Sequence, residues 1–212
     1  MSTIKLKHSS GNSMSIAAPA TDPGGALELK LPATVGTAGQ VLRNSSTPGT
    51  LEFGGLGGGI TEVDQWRLTA NVTSDAVITS GLSRVNLSGS ASPLGTGMSE
   101  SSGIFTFPHP GKWFIIVKAK FSINNSDSCG LVTQVTVDNS NYVGVTSAYD
   151  GNNDASGGSR DGGASSFYFL DVTDVGQVKV RFTAASLDSG SVLLSSSSEI
   201  TTGFNFIRLG DT

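Results

Sequence analysis

The sequence has few of the side chains from which catalytic and metal sites are usually built. Its 212 residues include one cysteine, Cys129, and two histidines, His8 and His109. One cysteine excludes an intrachain disulfide framework, and we interpret it as a free small residue in the loop-like run 124–130. Zinc needs clustered Cys and His, and neither histidine stands at a recognised spacing from a nucleophile. The sequence therefore predicts no enzyme activity and no cofactor.

Charge is also scarce, since Asp, Glu, Lys and Arg make up only 14% of the chain and the net charge is −4. The thirteen basic residues are scattered singly, which argues against a nucleic-acid-binding groove. No apolar run reaches the about 18 residues of a membrane-spanning helix, and the N-terminus has no hydrophobic signal segment. We expect neither a nucleic-acid partner nor membrane insertion.

Helical periodicity is missing, and the pattern that is present is that of β-strands. No window places apolar residues at i, i+3, i+4 and i+7 over three turns, whereas Val, Ile and Thr alternate with polar residues among 28 glycines. From residue 61 to residue 212, about ten strands separated by turn signals, among them 85–87, 111–123 and 165–172, predict a β-sandwich of the jelly-roll type. The predicted fold class is all-β.

Residues 1–53 have short apolar pairs separated by turn clusters, with few large side chains. At about 25 cal/mol per Å² of buried apolar surface, such a segment cannot offset about 1.5 kcal/mol of ordering entropy per residue. We predict an arm ordered by intertwining with copies of itself or by lying on another protein; a disordered arm is the alternative. The residues expected to dock on a particle are Ile4, Leu6, Met14, Ile16, Leu29, Leu31, Leu51 and Phe53.

A glycine-rich segment separates the arm from the head. Five of the six residues 54–59 are glycine. Such a run loses much conformational entropy when it forms a strand or a helix. We predict a flexible hinge over residues 54–60. Close approach of backbones in an intertwined stalk is the alternative.

The most informative run in the head is Phe105 to Val117. Pro108 and Pro110 remove backbone donors, so the preceding strand must end there, and Gly111 permits the conformation that starts the next strand. The following aromatic and β-branched residues suit burial between two sheets. This run resembles the signature of the superfamily of complement globular heads and tumour necrosis factors, whose members are compact jelly-roll trimers.

Two further stretches, residues 165–180 and 203–209, are similar to the same superfamily in the right order. Asp174-Val175-Gly176 departs from the family's usual Gly-Asp, and the collagen-like stalk of complement relatives is missing. The resemblance implies a jelly-roll homotrimer. Phe167, Phe169 and Phe206 are its candidates for the trimer axis or its edge, with ordinary core packing as the alternative for each.

Short sequence motifs in the arm are similar to the N-terminal repeats of tailed-bacteriophage fibre and virion proteins. They include Leu29-Lys30-Leu31-Pro32, the run GTAGQVL over residues 36–42, and Leu51-Glu52-Phe53-Gly54, in that order. The resemblance implies a location on the virion surface. It also implies a major capsid protein or other virion proteins as partners.

One cluster of oxygen-bearing side chains resembles a metal-binding loop. Asp150, Asn152 and Asp154 alternate at the start of a predicted long loop, 150–163, and imitate the opening of a calcium loop. The loop lacks the glycine expected at its sixth position, and Asp161 stands where a glutamate is expected. We interpret it as a solvated loop that contacts something outside the particle through these residues and Arg160, with calcium binding as the alternative.

Together these features predict a homotrimeric decoration or cement protein of a phage capsid, with the arm docked on the capsid and the head projecting outward. The alternative is a short tail or head fibre whose head binds a host surface glycan or protein. About 60 residues of arm reach only about 200 Å when fully extended, which favours decoration. A glycan-cleaving enzyme would need paired carboxylates in a groove, and the acids lie mainly in predicted turns.

Overall fold

The computed structural model divides into two compact units, Met1–Gly58 and Gly59–Thr212, which we call the arm unit and the head unit. All regular secondary structure that it describes is β. The described residues are 3–7, 9–11, 13–17, 20–21, 24, 28–55, 59–90, 92–153, 156–188 and 190–212.

The arm unit contains two antiparallel hairpins. The first pairs β1 (Thr3–Lys7) with β2 (Ser13–Ala17). The second pairs β3 (Gln40–Asn44) with β4 (Leu51–Gly55). Two glycines at the end of β4 were expected in the hinge; they lie in a strand because residues 40 and 41 of β3 are their ladder partners.

The head unit is a sandwich of two antiparallel sheets. Sheet I has the strand order β13-β10-β16-β5-β7, with β15 also paired to β10. Its strands are β5 (Val63–Leu68), β7 (Leu82–Arg84), β10 (Gly111–Asn124), β13 (Ser159–Val172), β15 (Val192–Leu193) and β16 (Gly203–Gly210).

Sheet II has the order β12-β11-β14-β9-β8, with β6 also paired to β14. Its strands are β6 (Ala76–Val77), β8 (Ser99–Ser101), β9 (Ile104–Thr106), β11 (Ser128–Thr136), β12 (Val143–Gly151) and β14 (Lys179–Ala185). The architecture confirms the predicted all-β jelly-roll sandwich.

The core lies between the two sheets and is rich in aromatic rings. Alternate residues of β10, from Trp113 to Ile123, are buried, because successive side chains of a strand point to opposite faces. The Phe182 ring of sheet II stacks on Phe204 of sheet I with 4.0 Å between centroids. Burying each such side chain contributes about 1.5–3 kcal/mol to stability.

The proline-glycine corner joins β9 of sheet II to β10 of sheet I, as the sequence predicts. Gly111 has a φ of 144°, and a Cβ at this position would overlap the carbonyl oxygen of Gly210. The indole nitrogen of Trp113 donates to the carbonyl oxygen of His109 at 3.2 Å. Glycine is therefore required for both conformation and space at the start of β10.

Cys129 lies in a strand and not in the predicted loop. It is the second residue of β11 and is fully buried in the core. Burial raises the pKa of its thiol above the ordinary value. The interpretation of Cys129 as a free cysteine is confirmed, but its assignment to a loop was wrong.

Candidate interaction surfaces

The outward side of sheet I carries a cluster of exposed aromatic rings. Phe114 pairs with Phe169, and Ile116 pairs with Phe167, across the β10–β13 ladder. The Phe114 and Phe169 rings stack at 4.5 Å, and Phe167 lies 5.8 Å from Phe114. Phe167 and Phe169 are 63% and 60% exposed. We call these four residues together with Ile207, the β16 partner of Phe114, the aromatic face.

The same side of sheet I has a recess at its β5 end. The recess holds about 450 Å³ and is lined by Val63, Gln65, Leu94 and Asn205, with Gly89 and two serines. The Gln65 side-chain amide donates to Asn205 Oδ1 at 2.6 Å. One sheet thus presents protruding rings at its β13 edge and a partly apolar hollow towards its other edge.

Phe206 does not share the aromatic face. It is 0% exposed, and its ring centroid lies 5.1 Å from that of Phe105 in sheet II. Of the two alternatives expected for Phe206, the structure shows ordinary core packing, because Phe206 points into the sandwich while the neighbouring β16 residues 205 and 207 point outward. Phe167 and Phe169, the other two candidates, lie on the surface.

Charged pairs flank the aromatic face at both ends of the β10–β13 ladder. Lys112 and Asp171 form an ion pair at one end. Lys120 Nζ lies 3.2 Å from Asp161 Oδ2 towards the other end. An apolar centre with a charged rim is the composition of a protein-protein contact surface.

The predicted external loop is shorter than expected. Asp150 lies in β12, and Arg160 and Asp161 lie in β13, because β13 continues its pairing with β10 as far as Asn124↔Ser159. Asn152 is buried, and its side-chain amide donates to the carbonyl oxygens of residues 123 and 158. Asp154 lies outside the described residues.

The oxygens of Asp150 are already occupied by donors. Oδ2 accepts from Gly163 N at 2.8 Å, and Oδ1 accepts from Gly151 N and pairs with Arg160. The Gly163 hydrogen bond, followed by that of Gly151 and the Arg160 charge, holds the pKa of Asp150 below its ordinary value. Since the Asn152 amide points inward, Asp150 and Asn152 do not converge as calcium ligands. Across the described ranges, no cluster of three or more Asp, Glu, His or Cys is placed to hold a metal.

The sequence did not predict two buried carboxylates at the start of the head unit, Glu62 and Asp64. Asp64 is almost completely buried and accepts from Arg84 Nε at 3.0 Å, Trp66 Nε1 at 2.8 Å and Met98 N at 2.7 Å. Glu62 accepts from the backbone nitrogens of residues 96 and 97. The two carboxylates therefore anchor the segment 92–98 to β5.

His109 lies at the edge of this network. Its Nε2 is 3.3 Å from Glu62 Oε1, and about half of the histidine side chain is exposed. The same carboxylate of Glu62 accepts from the backbone nitrogens of residues 96 and 97. It therefore both satisfies these two donors and orients His109. The only sequence signal for the network is the alternation of Glu62 and Asp64 around Val63.

In the arm unit, two predicted docking residues form an exposed apolar row. Leu29 and Leu31 are both exposed, and Lys30 between them is fixed to residues 49–51 by two 2.8 Å backbone hydrogen bonds. Leu51 is half-buried, and Phe53 packs its ring over Gly36. The register of the first hairpin pairs the remaining four candidates, Ile4 with Ile16 and Leu6 with Met14.

Within the ranges that the structure describes, no helix has the length and apolar character needed to cross a bilayer. No protein-family model matches the chain. No curated protein matches it in sequence either.

Solved structures with the same architecture do exist. Eiger TNF from S. frugiperda is 13% identical, the match covers 71% of this chain and 93% of that chain, and the TM-score is 0.54. Murine APRIL at pH 5.0 is 9% identical, with 70% and 98% of the two chains covered and a TM-score of 0.48. The likeness to Eiger TNF establishes a jelly roll of the tumour-necrosis-factor type.

Proposed function

We propose that the protein is a structural component of a phage particle, a homotrimer whose arm docks on the capsid and whose jelly-roll head projects outward. The observation that carries the proposal is the presence of two separate apolar surfaces on one chain. The head unit exposes the aromatic face, and the arm unit exposes Leu29 and Leu31. Monomeric proteins rarely expose such contiguous patches, which mark contact sites.

The aromatic face is proposed as the contact between subunits. A closed three-fold ring joins two different patches of each subunit, and sheet I offers two that differ in shape. In the proposed ring, the exposed rings of Phe167 and Phe169 on one copy enter the recess lined by Val63 and Leu94 on the next; the exposure of the rings and the presence of the recess support this arrangement. The ion pairs at the ends of the ladder then form the polar rim of the contact.

The leucine row of the arm is proposed as the contact with the capsid. Leu29 and Leu31 are two residues apart in an extended stretch, so their side chains share one side. The resemblance of the arm to phage virion proteins supports a virion partner. The buried carboxylate of Asp64 accepts hydrogen bonds from Trp66, Arg84 and Met98, so it stabilises the fold. This structural use of the acid supports a binding role for the protein.

The test uses the full-length chain and its double variant Leu29→Ser, Leu31→Ser. Sedimentation should give three times the 21.6 kDa of one chain for both proteins. The parent protein should coat empty capsids of the encoding phage, and the variant should not. A trimer that ignores capsids but competes with phage for host cells would instead support the fibre alternative. A monomer at all concentrations would refute both.

A further inference from the structure

We infer a saccharide-binding site on the outward side of sheet II, specific for an oligosaccharide that carries a carboxylate. This inference goes beyond the proposed structural role and does not depend on the trimer. Its centre is a depression of about 300 Å³ lined by Val132, Gly144, Val145, Thr146, Ser147 and Tyr149.

Tyr149 provides a stacking platform at one end of the depression. Its ladder partner is Gly130, and a Cβ on Gly130 would overlap the tyrosine ring. The ring therefore rests on bare backbone, yet 46% of Tyr149 is exposed. An amphipathic ring held against a sheet offers contact area at low entropic cost, and the C–H face of a pyranose is a complementary surface.

Arg181, on β14 beyond the lining of the depression, provides a fixed cation on the same side of sheet II. Its guanidinium lies 4.0 Å from the centroid of the Tyr142 ring, and its Nε donates to Gln134 Oε1 at 2.7 Å. None of the ion pairs in the described part of the chain involves Arg181. A guanidinium that is held in place and has no acidic partner is suited to bidentate binding of a carboxylate.

The ladder register places Tyr149 and Arg181 at the two ends of a diagonal that crosses β11. Gln134 is opposite both Arg181 and Gly144, Val132 is opposite Ser147, and Gly130 is opposite Tyr149. Gly130 and Gln134 are about 13 Å apart along β11, and Tyr149 on β12 and Arg181 on β14 are also two strand spacings, about 10 Å, apart across it. The two ends are therefore separated by about 16 Å. This span exceeds one pyranose, which indicates an oligosaccharide, and the hydroxyl of Ser147, which lies between the two ends on the outward side, suits a sugar hydroxyl.

A nucleic acid is a poor fit to the same surface. Phosphodiester recognition depends on several cations arranged in a stripe. This face offers Arg181 and, two residues along β14, Lys179, whose Nζ donates to the carbonyl oxygen of Val175, in a chain of net charge −4. A single carboxylate on an otherwise neutral, hydroxyl-rich ligand matches the Arg181 guanidinium and the open tyrosine ring.

The test titrates the full-length protein, by calorimetry or NMR, with two acidic probes and their neutral counterparts. The probes are a galacturonic acid trisaccharide with a galactose trisaccharide, and 3′-sialyllactose with lactose. At least one acidic probe should bind saturably and more tightly than its neutral counterpart. Arg181→Gln should weaken its binding at least about tenfold, and Tyr149→Ala about fivefold.

Three matched measurements separate the site from general effects. Tyr149→Phe keeps the ring and should retain binding, and Lys30→Gln removes one charge from the arm unit and should have no effect. Sedimentation tests the trimer independently, so a parent protein that is trimeric but binds neither acidic probe refutes this site alone. The inference is overturned if neither acidic probe binds, if the two variants bind as the parent does, or if inorganic phosphate competes with equal affinity.

Discussion

The ring of Phe169 on β13 lies parallel to that of Phe114 on β10, with 4.5 Å between the centroids and 17° between the planes. This stack is on the outside of sheet I, so it contributes little to the core of one subunit. It holds Phe169 and its neighbour Phe167 in fixed positions facing away from the sandwich. A preformed aromatic surface of this kind loses little conformational entropy when a partner covers it.

The first prediction concerns this surface. Replacing Phe167 and Phe169 together by serine should convert the proposed trimer into monomers, because covering each ring contributes up to about 1.5–3 kcal/mol to association. Sedimentation velocity over a hundredfold range of concentration measures the change. Val137→Ser removes an exposed apolar side chain elsewhere on the head unit and serves as the control. A double variant that remains trimeric would refute the role of the aromatic face.

The second prediction separates core from surface on neighbouring strands. Phe206→Ala should lower the free energy of unfolding by about 3–5 kcal/mol, since it opens a cavity beside Phe105 and Phe107. Phe169→Ala should cost much less when the two variants are compared at concentrations at which sedimentation shows both to be monomers. Urea unfolding followed by tryptophan fluorescence gives both values. Equal losses would contradict the inward position of Phe206.

The long strands could be predicted from the sequence because their signal is local. Alternation of large apolar and polar residues placed a strand over residues 111–123, and β10 spans Gly111–Asn124. The start of β13 was missed by six residues, since Ser159 to Ala164 has little β-propensity of its own. Pairing with β10 supplies the hydrogen bonds that keep this stretch extended.

Short strands and the buried acids could not be predicted, because distant residues decide them. A strand was expected at 85–87, whereas β7 is Leu82–Arg84, where Leu82 pairs with Leu68 and Arg84 with Trp66. β8 and β15 have three and two residues, too few for a periodic pattern. Among surface candidates, alternation places Phe167 and Phe169 on one side of β13 but does not say which side faces outward.

The third prediction tests the buried carboxylate of Asp64. Asp64→Asn should lower the free energy of unfolding by about 3 kcal/mol, because the variant leaves Arg84 without its partner and mismatches the surrounding donors. Asp171→Asn is the matched control, since it breaks the exposed pair with Lys112 and should cost less than about 1 kcal/mol. Chemical denaturation measures both. Similar costs for the two variants would rule out a structural role for the network.

The fourth prediction concerns acid stability and the turn after β11. Asp138 accepts from the side-chain and backbone nitrogens of Asn141 at 2.6 and 2.7 Å, from Thr136 Oγ1 at 2.8 Å and from Ser140 N at 3.0 Å. These hydrogen bonds, with that of the Asn141 side chain foremost, hold the pKa of Asp138 well below the ordinary 3.8.

Because the pKa of Asp138 is lower in the folded than in the unfolded chain, its contribution to stability is present above about pH 4. The contribution is lost as the pH falls from the unfolded-state pKa towards the folded-state one. Asp138→Asn should therefore be less stable than the parent at pH 6, and the difference should shrink as the pH is lowered to 2. Urea unfolding across this range measures it, with Asp161→Asn as a control outside the turn. A difference that stays constant with pH would show that the Asp138 charge does not stabilise the turn.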